Sequence, residues 1–319
     1  AAARAENQPF LTACGGYPSS EGIYPKMLET LRACPELYEA TSAYLDLNEF
    51  LTWQLTGALT RSTGSLGLKN YCPDGNTLPD AQFFARLHPA LASTPDKLRG
   101  KALPWGACAG TLTSAWAERL GLPAGIAVGA GAIDGPISMV ALGLHHSGDA
   151  MLTIGTSGVV FAHTSKVTID KLGRVHTCCA AVPGCWHVMG VTQGAGLSLK
   201  WFRDNFCNAE KETAKMMGVD AYYLMDKEAD TVPIGANRLL YLPYLMGERT
   251  PHLDPDARGV FFGLSAMHEK KDLLRAVMEG VSYSLRDCVE VFRQMDVNVS
   301  DMMACGGGGS SPLWRQMLA

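Results

Sequence analysis

The stretch Ala150-Met151-Leu152-Thr153-Ile154-Gly155-Thr156-Ser157-Gly158-Val159-Val160-Phe161 decides the architecture. Two short apolar runs flank a turn bounded by glycines, which reads as a strand, a tight turn and a second strand. The plan returns twice further on. A strand around Trp186–Met189 leads into Gly194-Ala195-Gly196 and a helix starting near Leu197, and a strand at Asp301–Ala304 runs into Gly306-Gly307-Gly308-Gly309. Before that last strand, the periodicity predicts one long helix from Asp272 to about Gln294. Its apolar face carries Leu274, Val277, Met278, Val281, Leu285, Val289 and Phe292.

Upstream the texture differs. Residues 21–57 read as helical, with a second apolar-periodic stretch (Leu37, Tyr44, Leu45, Phe50, Leu51, Leu55) ending at Gly57 as a C-cap. Residues 58–80, with the cluster Pro73-Asp74-Gly75-Asn76, read as loops. A short amphipathic helix at about 111–120 ends at Gly121, with Thr111 and Thr113 as N-cap candidates. The apolar run Ile126–Ile133 then ends in one acid, Asp134, and residues 136–144 read as a buried helix through Ile137, Val140, Ala141 and Leu144. The polar interruption at 145–149 places a domain boundary near 146–150.

A length of 319 residues suggests two domains at roughly 100–200 residues each. The balance of 31 acidic against 27 basic residues, net charge -4, gives no basic footprint and argues against nucleic acid as a partner. An apolar fraction of 47%, spread along the chain, excludes low-complexity disorder. No apolar run approaches the roughly 18–20 residues of a membrane span, and Ala1–Asn7 lacks the order of a signal peptide, so a cytoplasmic protein is expected. No two of the ten cysteines form a C-x-x-C pair, and only Cys178, Cys179 and Cys185 cluster. Buried thiols in a reducing compartment are expected, with metal or redox chemistry as the alternative. The stop at Ala319, inside a helix that follows the last glycines, suggests a fragment.

Glycines after strands let the backbone approach an anion and aim several N–H groups at it. Three such turns, at 155–158, 194–196 and 306–309, shift the reading from purely structural turns toward a nucleotide cradle. None matches G-x-x-x-x-G-K-[ST], and Gly129-x-Gly131 lacks the third glycine of a dinucleotide fingerprint. Asp134 stands in a small apolar segment, where a carboxylate needs partners or a task. It reads either as a proton acceptor or as the N-cap of the helix that follows.

On these residues the chain resembles the FGGY family of carbohydrate kinases. Gly131-Ala132-Ile133-Asp134 matches the segment carrying that family's general base, and Leu152–Gly158 resembles its phosphate-binding hairpin. Leu242-Pro243-Tyr244-Leu245-Met246-Gly247-Glu248-Arg249-Thr250-Pro251-His252 is similar to its second signature, and Gly306–Gln316 to its adenosine motif. The resemblance implies an α/β fold of the actin-like, ribonuclease H-like ATPase type, with two lobes and an interlobe cleft. It implies ATP with Mg²⁺, a small-molecule sugar substrate, no membrane or nucleic-acid partner, and allows for a homodimer. Asp134 would be the base. Gly155, Thr156 and Ser157 would hold the ATP phosphates, Gly196 and Lys200 would flank the nucleotide, and Gly307, Gly308 and Ser311 would face adenine and ribose. Glu248 and Arg249 read as a structural pair.

The implied reaction is phosphorylation of a ketopentose. The second signature is closest to members acting on xylulose, while residues 15–72 look more like members acting on ribulose. A non-catalytic sugar- or nucleotide-binding regulator on the same fold is the alternative of another class. The family's first phosphate hairpin, of Asp-x-Gly-Thr type, has no counterpart in these residues. The expectation is therefore a latter part of an N-terminal lobe at 1–147, with some Mg²⁺ ligands absent, and a C-terminal nucleotide lobe at 150–319.

Overall fold

The computed structural model describes residues 2–14, 18, 20, 22–72, 78–182 and 184–319. The chain divides into two compact units. One comprises Ala1–His146 with His163–Val188, the other Ser147–Ala162 with Met189–Ala319. Where a single boundary near 146–150 is expected, residues 163–188 thus group with the first unit. Among the described residues no helix is long and apolar enough to cross a membrane.

The first unit is mostly helical. Helices Ile23–Ala33 and Pro35–Ala40 are separated at Cys34, where Pro35 opens the second helix. Residues 41–46 are not helical, and the next helix, Leu47–Thr56, ends at Gly57 in the left-handed conformation. The two helical stretches expected over 21–57 do separate at Cys34-Pro35, but the second is itself two helices, and Glu21 lies outside the described residues. Met27, Leu31, Tyr38, Phe83, Phe84, Leu91 and Leu98 form one apolar core.

Residues 58–80 depart from the expected loops. Strand β1 (Thr60–Ser62) pairs in parallel with β2 (Lys101–Leu103), and a helix runs over Thr63–Lys69. Gly64 within that helix lies flat under Trp105, whose ring a Cβ would meet at 1.5 Å. The glycine serves close packing there, not a turn. Pro73–Asn76 and Gly15–Tyr17 lie outside the described residues.

Strand β3 (Cys108–Thr111) pairs antiparallel with β4 (Ala127–Gly129), and the helix between them, Ser114–Leu120, stops at left-handed Gly121. The helix after β4 spans Asp134–Ala141, two residues earlier than expected, and it turns Pro136 and Met139 inward. Ile137 and Val140, expected in the core, are exposed.

In the second unit β5 (Asp149–Ile154) and the first residues of β6 (Gly158–Thr164) form an antiparallel hairpin. Strand β8 (Asp301–Cys305) lies parallel to β5 on its other side. Beyond β6 lies β7 (Trp186–Thr192), so the strands of this unit run in the order β8-β5-β6-β7. A parallel strand set outside an antiparallel hairpin fits the ribonuclease H-like, actin-like fold that the resemblance implies.

The long helix spans Lys270–Gln294 and opens with a reciprocal cap between Glu269 and Asp272. All seven apolar residues expected on its inner face are buried, each worth roughly 1.5–3 kcal/mol. Arg275 and Glu279, one turn apart and both buried, pair at 2.6 Å.

Candidate nucleotide site and the Asp134 segment

The β5–β6 connection is the three-residue loop Gly155-Thr156-Ser157, closed by Gly155 N–H donating to Ser157 O at 3.0 Å. The next helix, Ala195–Phe206, docks onto it. Gly196 N–H donates to Gly155 O (2.8 Å) and Leu197 N–H to Thr156 O (3.0 Å). Across a trans peptide the N–H points opposite to the C=O. With both carbonyls turned toward the helix, the N–H groups of Thr156 and Ser157 are turned away from it. Gly155 and Thr156 are exposed, so this loop presents donors suited to phosphate oxygens.

The close approach explains Gly196, where a Cβ would stand 2.4 Å from Gly155 O. At Gly308 it would stand 2.5 Å from Ile154 Cγ2. Gly307 is different: a Cβ there would meet nothing within 4 Å. Packing does not demand glycine at that position, but an open backbone facing a cavity does.

That cavity, about 560 Å³, is lined by Gly155, Thr156, Gly196, Lys200, Gly307, Gly308 and Ser311. Seven of the nine residues singled out in the sequence thus meet at one place, drawn from three glycine turns. Ser157 is half-buried and outside the lining, and Asp134 belongs to the other unit. Trp314, on the terminal helix Pro312–Leu318, lines the cavity as well. Its Nε1 donates to Met278 O and Ser282 Oγ, both at 3.1 Å, which fixes the indole.

Lys200 is exposed and its ammonium pairs with Asp204 at 2.6 Å. Such surface pairs are worth about 0.2–1 kcal/mol, so the side chain can be recruited by an anion. Sequence reasoning missed Asp220, Tyr222, Tyr223 and Asp226, which also line the cavity. They sit at the start of the Ala221–Asp230 helix, packed beside the Asn208–Met217 helix. Left-handed Gly218 ends the Asn208–Met217 helix, but no glycine-rich run or motif singles out the Ala221–Asp230 helix.

Asp134 is exposed at the first turn of its helix. Its Oδ1 accepts from the Gly135 N–H at 2.9 Å, and its carbonyl accepts from Ser138 Oγ at 2.7 Å. β4 is not buried, so the premise of a carboxylate closing a buried strand does not hold. Gly131 abuts Asn48, whose Cβ a Cβ there would meet at 2.8 Å, and Asn48 Nδ2 donates to Ser65 Oγ at 3.3 Å. Asn48 and Ser65 therefore stand beside the Asp134 segment, a second feature that the sequence did not reveal.

Glu248 is buried and accepts from the N–H groups of Gln193 (3.0 Å) and Arg249 (2.6 Å) and from Ser284 Oγ (3.4 Å). Its partners include the Arg249 backbone, so the pair expected from sequence rests there on an amide. Burial raises its carboxyl above the usual range. Cys72, Cys178, Cys207 and Cys288 are buried, Cys34 and Cys108 exposed, and all are free thiols. Among the described residues no three His, Cys, Asp or Glu side chains gather as a metal site. Mg²⁺ that arrives with a nucleoside triphosphate takes most of its ligands from phosphate and water, so this donor set neither supplies nor opposes it.

Residues 150–319 match the FGGY family of carbohydrate kinases, C-terminal domain. The chain belongs to the FGGY family. The xylulose kinase of Bacillus subtilis (strain 168) is 33% identical to it over 303 residues, covering 92% of this chain and 56% of that protein. The gluconokinase of Bacillus licheniformis is 33% identical over 292 residues, covering 89% and 55%. The crystal structure of xylulose kinase from Rhodospirillum rubrum superposes with a TM-score of 0.82 at 28% identity, covering 99% of this chain and 62% of that one. This FGGY chain thus spans about half the length of the curated relatives it matches.

Proposed function

We propose that the chain is the nucleotide-binding and base-bearing part of an ATP-dependent sugar kinase acting on a ketopentose, xylulose first among them. The observation that carries this is the convergence of Gly155, Thr156, Gly196, Lys200, Gly307, Gly308 and Ser311 on one cavity. The Thr156 and Ser157 N–H groups hold the phosphates, the Gly307–Gly308 backbone faces adenine and ribose, and Mg²⁺ accompanying ATP neutralises part of the phosphate charge. The exposed carboxylate of Asp134 takes the proton of the attacking sugar hydroxyl. That oxygen forms the new bond to the γ-phosphorus as the bond to the ADP oxygen breaks.

Likeness to a xylulose kinase supports the sugar class, and likeness to a gluconokinase keeps a sugar acid open as a second acceptor. Ribulose is the further alternative, from the resemblance of residues 15–72. The test is ADP release by the complete polypeptide with D- and L-xylulose, D- and L-ribulose and gluconate. Xylulose should give the highest kcat/KM, and a higher value for gluconate or ribulose would reassign the substrate. Asp134→Asn should lower kcat at least ~10²-fold with ATP binding retained; near-normal turnover would remove Asp134 from the chemistry. ADP release with none of these acceptors would favour a nucleotide-binding regulator.

A further inference from the structure

The polar groups of the cavity are not equally available to a ligand. Asp220 is the N-cap of the Ala221–Asp230 helix and accepts the Tyr222 N–H at 2.9 Å. Lys200 is held by Asp204. Ser310 Oγ donates to Gly307 O at 2.6 Å. Tyr222 lies under the Arg203 guanidinium, 4.8 Å from its ring centroid. Ser311 caps the Pro312–Leu318 helix by accepting the Trp314 N–H at 3.0 Å.

Asp226 is different. A carboxylate has about four acceptor positions, and Asp226, inside the helix rather than at its N-cap like Asp220, caps no backbone. It is half-buried and lines the cavity on the same helix face as Tyr222, one turn earlier. Resting on the nucleotide reading above, we infer that Asp226 is the residue that reads the nucleoside, accepting a hydrogen bond from a neutral donor on it. ADP offers two kinds of donor, the exocyclic amine of adenine and the ribose hydroxyls. Ser311, for which the resemblance implies that contact, is a positioning residue: it starts the helix whose Trp314 lines the same cavity.

Titration calorimetry on the full chain tests this, with ADP, 2′-deoxy-ADP and the diphosphate of purine riboside, which lacks the amine. The wild-type chain should bind ADP, and at least one analogue at least about tenfold more weakly, the scale of a hydrogen bond to a charged acceptor. The weaker analogue identifies the donor. Asp226→Asn and Asp226→Ala should weaken ADP about tenfold or more and shrink its preference over that analogue toward one. The preference ratio is independent of how much variant is folded. ADP binding within twofold of wild type in both variants overturns the inference, as does equal binding of all three ligands to wild type. If the wild-type chain binds no ADP, the nucleotide reading of the cavity fails instead, and Asp226 falls with it.

Discussion

The Lys270–Gln294 and Leu47–Thr56 helices are both rich in apolar side chains, yet they bury opposite kinds of surface. The first turns Leu274, Val277, Met278, Val281, Leu285, Val289 and Phe292 inward. The second leaves Leu47, Phe50, Leu51 and Trp53 at 73%, 43%, 51% and 38% exposure and buries Glu49 and Thr52 instead. Its inner face is held by a polar network. Glu49 caps its own helix through the Asp46 N–H (3.0 Å), accepts the Ser62 N–H (2.9 Å) and pairs with Arg61 at 3.3 Å, both side chains 1% exposed. Arg61 Nη1 in turn donates to the Tyr44 carbonyl. An apolar period locates the core where the core is apolar, and misplaces it where buried charges bond each other.

Removing one partner of the polar network should have the larger effect. Arg61→Met strands the Glu49 carboxylate in the interior and should cost ~3–5 kcal/mol in urea unfolding, whereas Arg61→Met with Glu49→Leu should recover most of the loss. A cost under about 1 kcal/mol for the single variant would mean that the network does not organise this face. On the long helix, Leu274→Ala should cost ~2–5 kcal/mol through lost burial and a cavity, with no second-site charge change able to restore it. Recovery by a polar partner substitution would blur the contrast between the helices.

The same contrast explains what was legible in the sequence. In the second unit the hairpin, the last strand and the long helix could be read closely, because the strands end in glycine turns and the helix keeps one apolar face, while the helices at Asn208–Met217 and Ala221–Asp230 could not. Seven of nine site residues met in one cavity for the same reason, since glycine is needed wherever backbone approaches backbone, as at Gly196 and Gly155 O. The first unit resisted. Gly64 read as a loop because its packing partner, Trp105, is 41 residues away in sequence and a local pattern cannot show it. Asp226 and the Asn48–Ser65 pair were invisible for a related reason: a lone acid or amide on a helix carries no signature until tertiary contact supplies its neighbours. Apolar Ile137 and Val140 suggested a buried helix, but Pro136 and Met139 face inward.

A buried carboxylate that accepts from backbone amides sharpens the comparison from the other side. Glu248 is satisfied by two amides and a hydroxyl, and burial raises its pKa above the ordinary 4.5. The folded chain therefore holds this proton more tightly than the unfolded chain. Its contribution to stability is complete below about 4.5 and declines as pH rises through the raised value. Glu248→Gln should flatten the fall in stability over that window, measured as urea midpoints against pH. An unchanged slope would show that the amide donors, not burial, govern the group.

The smallest effect is expected on the outward apolar face of the Leu47–Thr56 helix. Phe50 is 43% exposed and touches Trp53 edge-on, with ring centroids 6.0 Å apart. Phe50→Ser gives up part of that contact and little burial, so the urea midpoint should move by no more than ~0.5 kcal/mol. The same change at Phe292 on the long helix, where the ring is fully buried, should cost several times more, about 3 kcal/mol or above. A loss at Phe50 approaching that at Phe292 would mean that the exposed face is covered in solution. The polar network would then be one of two buried faces of this helix, and the inversion drawn between the two helices would no longer hold.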